Sequence, residues 1–270
     1  MRRASFLFVL LFLLIQTIYG MRAFGDQASP SEQVQVDPPG HGTPSASASA
    51  EQLEKTADLM RARKSYLDAV DYYHAALAKS PNNSRLYNKM GIVQLEIQRY
   101  RDASKSFGRA IKADRTSGDA YNNLGVVYYL EKRTGKALKQ YKKAIQINGS
   151  SASFYSNLAA AYFSRKEFEA ATVAYAKALQ LDPDIFERTS VNGVAGRISS
   201  PQDQAHYDYV VAGLYAKMGN NSRSLEYLRR SMEEGYKGVQ DVYKDPEFAA
   251  LRNDARFAAL MASHPAVIPE

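Results

Sequence analysis

Lysine and asparagine recur in this sequence at a fixed interval. Lys55, Lys89, Asn123 and Asn157 stand 34 residues apart, and Asn88, Asn122 and Ser156 immediately precede the last three. A carboxamide both donates and accepts hydrogen bonds, whereas an ammonium only donates. A row of such groups can recognise a polar chain. It cannot make or break a covalent bond, which takes a nucleophile, a base and a group that stabilises developing charge. The sequence holds no such set. Its four histidines, His41, His74, His206 and His264, are scattered, and no pair has metal-ligand spacing such as H-E-x-x-H. Gly135-Lys136 lacks the upstream glycine of a phosphate-binding loop, and no G-x-S-x-G occurs. With no cysteine, thiolate metal sites, disulfides and a cysteine nucleophile are all excluded. These residues imply no catalytic group, no metal and no cofactor.

The interval of 34 extends well beyond the polar column. Ala69, Ala103, Ala137 and Ala171 share one offset, Ala76, Ala110, Ala144 and Ala178 another, and Tyr73, Phe107, Tyr141 and Tyr175 a third. Three such columns divide the chain into units 50–83, 84–117, 118–151 and 152–185. Within a unit, large residues at places 4, 7 and 11 and a small one at place 8 lie on one face of a helix, here called A. After a turn, small residues at places 20 and 27 and a ring at place 24 mark a second helix, B. Alanine and glycine belong where helices cross closely, with a ring filling the space beside each crossing. Tyr87, Tyr121 and Tyr155 also occupy core columns, and the six repeat tyrosines are expected to pack with satisfied hydroxyls.

The pattern resembles the tetratricopeptide-repeat family in its large, small, aromatic, alanine, aromatic, alanine and terminal proline places. Units 2 and 3 depart from it at the last place, with Arg115 and Gly149. The resemblance implies an all-α fold, a right-handed solenoid of antiparallel helix pairs with a concave inner surface. It also implies a non-enzymatic scaffold that binds a protein or peptide partner in that concave groove. In members that bind extended peptides, asparagines at place 6 hydrogen-bond the ligand backbone and nearby lysines hold a carboxylate. Carried onto this chain, the peptide-binding residues are Lys55, Lys89, Asn123 and Asn157 at place 6 and Asn88, Asn122 and Ser156 at place 5. Tyr129 and Phe163 at place 12, off the core stripe, are added as candidate aromatic anchors.

The flanks carry different signals. Arg2 and Arg3 precede the apolar run Phe6–Ile15, the layout of an export signal cleaved after Gly20 or Ala23, or of an uncleaved N-terminal anchor within 1–23. Either outcome puts the remainder outside the cytoplasm, periplasmic or secreted, with the membrane touched only through that segment. Residues 24–49, rich in Ser, Pro and Ala, read as a disordered linker. After unit 4 the period breaks at a loop, 186–204, then a degenerate fifth unit follows at 205–238 and a helical cap and tail at 239–270. The formal charge is +7, but Arg2, Arg3 and Arg22 belong to the targeting segment; removing them leaves +4 (32 basic against 28 acidic), too diffuse for nucleic acid. An alternative function is a cell-envelope enzyme or carbohydrate-binding accessory protein built on the 186–204 loop and His206.

Overall fold

A computed structural model of the protein describes residues 42–187 and 201–263. The export segment and most of the linker, within 1–41, lie outside the described residues, as do 188–200 of the expected loop and the tail from His264. Every regular element among the described residues is helical. Four helix pairs come first: α1 (Ala50–Ala62) with α2 (Tyr66–Lys79), α3 (Ser84–Glu96) with α4 (Tyr100–Ala113), α5 (Gly118–Leu130) with α6 (Thr134–Ile147), and α7 (Ala152–Ser164) with α8 (Phe168–Leu181). A fifth pair, α9 (Pro201–Lys217) and α10 (Asn221–Glu233), is followed by three short 3-10 turns and by α11 (Ala255–Ser263). This is an all-α solenoid of antiparallel helix pairs.

Local chemistry sets the helix ends. Ser49, Asn83 and Ser117 accept the backbone N–H of Gln52, Leu86 and Ala120, and Ser49 forms a reciprocal capping box with Gln52. The last residues of the expected linker thus take part in the folded unit; Lys79 donates to the Ala46 carbonyl there at 2.8 Å. Each A helix stops at a residue in the left-handed region: Lys64, Gln98, Lys132 and Lys166, with φ of 59–62°, and Gly219 in the fifth unit. All five occupy place 15. The next N–H reaches back five residues, as from Arg99 to the Gln94 carbonyl at 2.8 Å, the Schellman arrangement that satisfies a terminal carbonyl. Four units accept the steric cost of a side chain at that position, about 1–2 kcal/mol each, because the reversal is fixed by the packing of A on B.

Packing follows the three columns. Tyr73, Phe107, Tyr141 and Tyr175 are fully buried, as are all eight alanines of places 20 and 27. In units 2 and 3 the ring lies against place 8 of its own unit. A Cβ added at Gly91 would stand 2.6 Å from Cε1 of Phe107, and one at Gly125 the same distance from Cε1 of Tyr141. Glycine is needed at these two crossings because ring and backbone are already in contact. The hydroxyls of Tyr141 and Tyr175 have no partner among the described residues, contrary to the expected satisfied hydroxyls, while Tyr73 donates to Asp58. Burial pushes the Tyr141 and Tyr175 phenols well above their usual range.

Successive A helices pack on one another, α3 on α5 and α5 on α7, whereas the B helices meet the next unit through its A helix. The stack therefore bends toward the A side, and the A helices line the inner surface. At the far end, the Pro246–Phe248 turn folds back over α9, and Phe248 would touch a Cβ at Gly213 at 3.4 Å. That turn, with buried Val242, Leu251, Phe257 and Leu260, covers the last apolar face.

Gly125→Ala forces the Tyr141 ring out of its slot in a core with no spare volume. We expect a loss of about 1–3 kcal/mol in chemical denaturation. Unchanged stability would show that the ring is not seated against this residue.

Candidate functional site

At about 100° per residue, places 5, 6 and 9 cluster on the side of helix A opposite places 4 and 11. Place 6, and place 9 in units 1–3, open onto the inner surface; place 5 turns toward the seam between one A helix and the next, buried at Glu54, Asn122 and Ser156 and half-buried at Asn88. Across three successive seams, place 5 of one unit is bonded to place 6 of the following unit. Glu54 Oε1 accepts from Lys89 Nζ at 2.7 Å, Asn88 Oδ1 from Asn123 Nδ2 at 3.0 Å, and Asn122 Oδ1 from Asn157 Nδ2 at 2.9 Å. Within unit 3, Asn122 Nδ2 also donates to Asn123 Oδ1 at 3.3 Å, joining two rungs into one run from Asn157 to Asn88. In the fifth unit place 6 is Val210, which cannot donate; there Ser156 Oγ is buried without a partner. The ladder thus ends where the sequence withdraws the donor.

The first rung is ionic. Glu54 is buried, and besides Lys89 it takes Arg85 at 2.8 Å, while Lys89 also reaches Asp58 at 2.5 Å. Burial alone would raise the Asp58 carboxyl, but hydrogen bonds from Lys89 and Tyr73 outweigh it and hold the group below its usual range. Lys89 loses some preference for charge through burial and regains more from Asp58 and Glu54, so its ammonium titrates above the ordinary lysine range. Lys89 is therefore held inside the protein by two carboxylates. Lys55, by contrast, is exposed and among the described residues makes only an i,i+4 pair with Glu51 at 3.0 Å, an interaction of little energetic weight.

Four of the residues assigned to the groove from sequence are not on its open surface. Asn122 is 7% exposed, Ser156 1%, Tyr129 9% and Phe163 3%. The reason is geometric: place 12 lies about 20° around the helix from place 5, so both face the neighbouring A helix rather than the inner void. Phe163 meets Phe168, His206 and Tyr207 edge-on at 5.0–6.3 Å and offers no free face to a ligand. The inner surface instead presents Asn88, Lys89, Asn123 and Asn157, all half-buried, with Ile92 and Val126 of place 9 half-buried between the rungs. The aliphatic pair carries no repeat signature, because place 9 reads Asp58, Ile92, Val126 and Ala160. Only the three-dimensional position of the column marks it.

The region around His206 is a packing cluster. Its imidazole stacks on Tyr236 at 5.1 Å and tilts against Phe168 at 4.3 Å, and burial, partly offset by Asp203, lowers its pKa. Among the described residues no group of three metal-ligating side chains occurs, and no helix is long and apolar enough to cross a membrane.

The tetratricopeptide repeat family model matches residues 118–151 and 152–185, the bounds of units 3 and 4. Residues 118–185 are two tetratricopeptide repeats. No curated protein matches its sequence significantly. Among solved structures, a crystal structure of MamA is 22% identical, with 68% of this chain and 96% of that one covered and a TM-score of 0.48. The crystal structure of YrrB, described as a TPR protein with an unusual peptide-binding site, is 19% identical over 73% of this chain and 92% of its own, with a TM-score of 0.47.

One buried acid breaks the tetratricopeptide pattern. Place 4 holds Leu53, Tyr87, Tyr121 and Tyr155 in units 1–4 but Asp208 in the fifth, where it is fully buried. Burial pushes its carboxyl up to about 7, against the pull of the Arg230 guanidinium 3.2 Å away. An unfolded aspartate titrates near 3.9. The folded chain therefore holds this proton more tightly, so the contribution is complete below about pH 4 and is lost as pH rises through 7. Asp208→Asn removes the titration. The stability of wild type relative to this variant should fall by up to about 4 kcal/mol between pH 4 and 7 and level off above that. A difference that does not vary with pH would contradict a raised pKa.

Proposed function

We propose that the protein is a non-enzymatic adaptor of the cell envelope, and that its inner surface over units 1–4 receives an extended segment of a partner protein. The observation that carries this reading is the continuous polar run of the inner face with aliphatic side chains between its rungs. The run is internally bonded yet unsaturated: among the described residues Asn88 Nδ2 and Asn157 Oδ1 have no partner. A peptide backbone presents donors and acceptors in alternation, and a row of held carboxamides can meet both without rearranging. Ile92 and Val126 supply apolar contact between those hydrogen bonds, and Lys89, fixed by Asp58 and Glu54, adds positive charge at one end.

The covering of α9 by Phe248 supports a furrow confined to units 1–4. Tyr209 at place 5 of α9 donates to Asp245 at 2.5 Å, and Phe248 lies 5.2 Å from the Tyr209 ring. A partner segment laid over the earlier units would use the same side of each A helix. Placement in the envelope rests on Arg2, Arg3 and the run Phe6–Ile15 read as an export signal or anchor.

The test is affinity capture from the protein's own cells with wild type and with Asn123→Ala combined with Asn157→Ala. Circular dichroism should show unchanged helicity. The polypeptides captured by wild type should be recovered about tenfold less well, the combined effect of two lost hydrogen bonds. Undiminished capture by a folded double variant would remove the ladder from the binding surface.

A further inference from the structure

The diffuse charge of the whole chain hides a local concentration. Residues 131–146, which cover the turn after α5 and most of α6, hold six lysines and arginines and one acid, Glu131. That acid is taken by Arg133 at 2.9 Å. Lys139, Lys142 and Lys143 are exposed and pair with no carboxylate among the described residues. They line a furrow of about 810 Å³ between α6 and the α7–α8 turn, with Tyr121, Leu138 and Tyr162 also lining it and Arg165 and Glu167 along its far side. Arg165 and Glu167 pair with each other, and an Arg165 nitrogen lies 4.0 Å from where a Gly135 Cβ would be, so the guanidinium reaches across to α6. Lys142 Nζ stands over the Tyr162 ring, 5.4 Å from its centroid, which holds that ammonium at the furrow.

This surface is separate from the asparagine ladder. Tyr121 and Tyr162 stand at places 4 and 11 of successive A helices, places that are nearly aligned around a helix, while place 6 points about 140–160° away. The furrow therefore opens on the outer side of the A helices. Cations held together without counter-charge repel one another, and an anionic ligand relieves that repulsion.

We propose that this outer furrow at the junction of units 3 and 4 binds an acidic, extended segment of a protein, a second docking surface beyond the concave one. Lys139 and Lys143 are one helical turn apart, with Cβ atoms about 5–6 Å from each other. Alternate side chains of an extended chain are about 6.6–6.8 Å apart. Acidic residues at every second position can thus meet successive lysines, while the intervening side chains rest on Leu138 and the two tyrosines. A nucleic acid fits less well. The face of Tyr162 that a base would stack on carries Lys142, and the Glu167 carboxylate lies along the path of a phosphate backbone.

The test is fluorescence anisotropy on the purified full chain, using a labelled peptide of alternating glutamate and alanine. A lysine–alanine peptide and a single-stranded oligonucleotide serve as comparators. Saturable binding of the glutamate peptide is expected, weakening as salt rises. Lys139→Glu with Lys143→Glu should lower its affinity about tenfold or more, and the milder Lys139→Gln with Lys143→Gln should lower it less, in the same direction. Asn123→Ala with Asn157→Ala should leave it unchanged, which separates this surface from the concave one. Binding no tighter than that of the lysine peptide, binding that survives both lysine pairs in folded variants, or tighter binding of the oligonucleotide would each overturn the proposal.

Discussion

The architecture depends on the contact between an aromatic ring at place 24 and a residue with little or no side chain at place 8. Where that residue is Gly91 or Gly125, ring and backbone touch with no room for a methyl group. The contact sets the distance between helices A and B within a unit, and the alanines at places 20 and 27 then let the next A helix approach equally closely. Repetition every 34 residues turns one fixed crossing into a stack that bends toward the A helices. Nothing in this scheme needs a polar core, which is why the buried phenols of Tyr141 and Tyr175 are tolerated as rings first and hydroxyls second.

That stacking brings place 5 of one unit to place 6 of the next. The pair is a salt bridge at the first seam and a carboxamide pair at the second and third. These bonds serve two purposes at once. They keep polar groups satisfied as successive A helices close on each other, and they hold the amides of the inner surface in fixed orientations. A ligand meeting preset groups loses less conformational freedom than one meeting mobile side chains. At the fourth seam Val210 and Ser156 make no such bond, and the fifth unit turns instead to its own cap through Tyr209, Tyr236 and Phe248.

The helix pairs were legible in the sequence because each column is a packing requirement repeated four times, and only a few residue types meet it. The polar column at place 6 was legible for the same reason. What the sequence could not resolve was direction. Places 5 and 12 look like inner-surface places when one helix is drawn alone, yet Tyr129 and Phe163 are buried by the neighbouring A helix. Such burial depends on the angle between units, which no residue pattern states. Ile92 and Val126 carry no sequence signal because their column mixes acid, aliphatic and small residues. The left-handed residue at place 15 has no sequence mark in units 1–4, because Lys64, Gln98, Lys132 and Lys166 are not the glycines that usually signal it, whereas Gly219 of the fifth unit is. The basic run of α6 vanished in a charge summed over the chain.

The direct measurement of where a partner sits is photo-crosslinking in the protein's own cells, with a benzophenone amino acid placed at Ile92, at Val126 or at Val173. The first two are half-buried on the inner surface, whereas Val173 on α8 is 72% exposed on the outer side. If the inner surface is the docking face, adducts to another polypeptide form from positions 92 and 126 and not from 173. Adducts from position 173 alone would contradict the account.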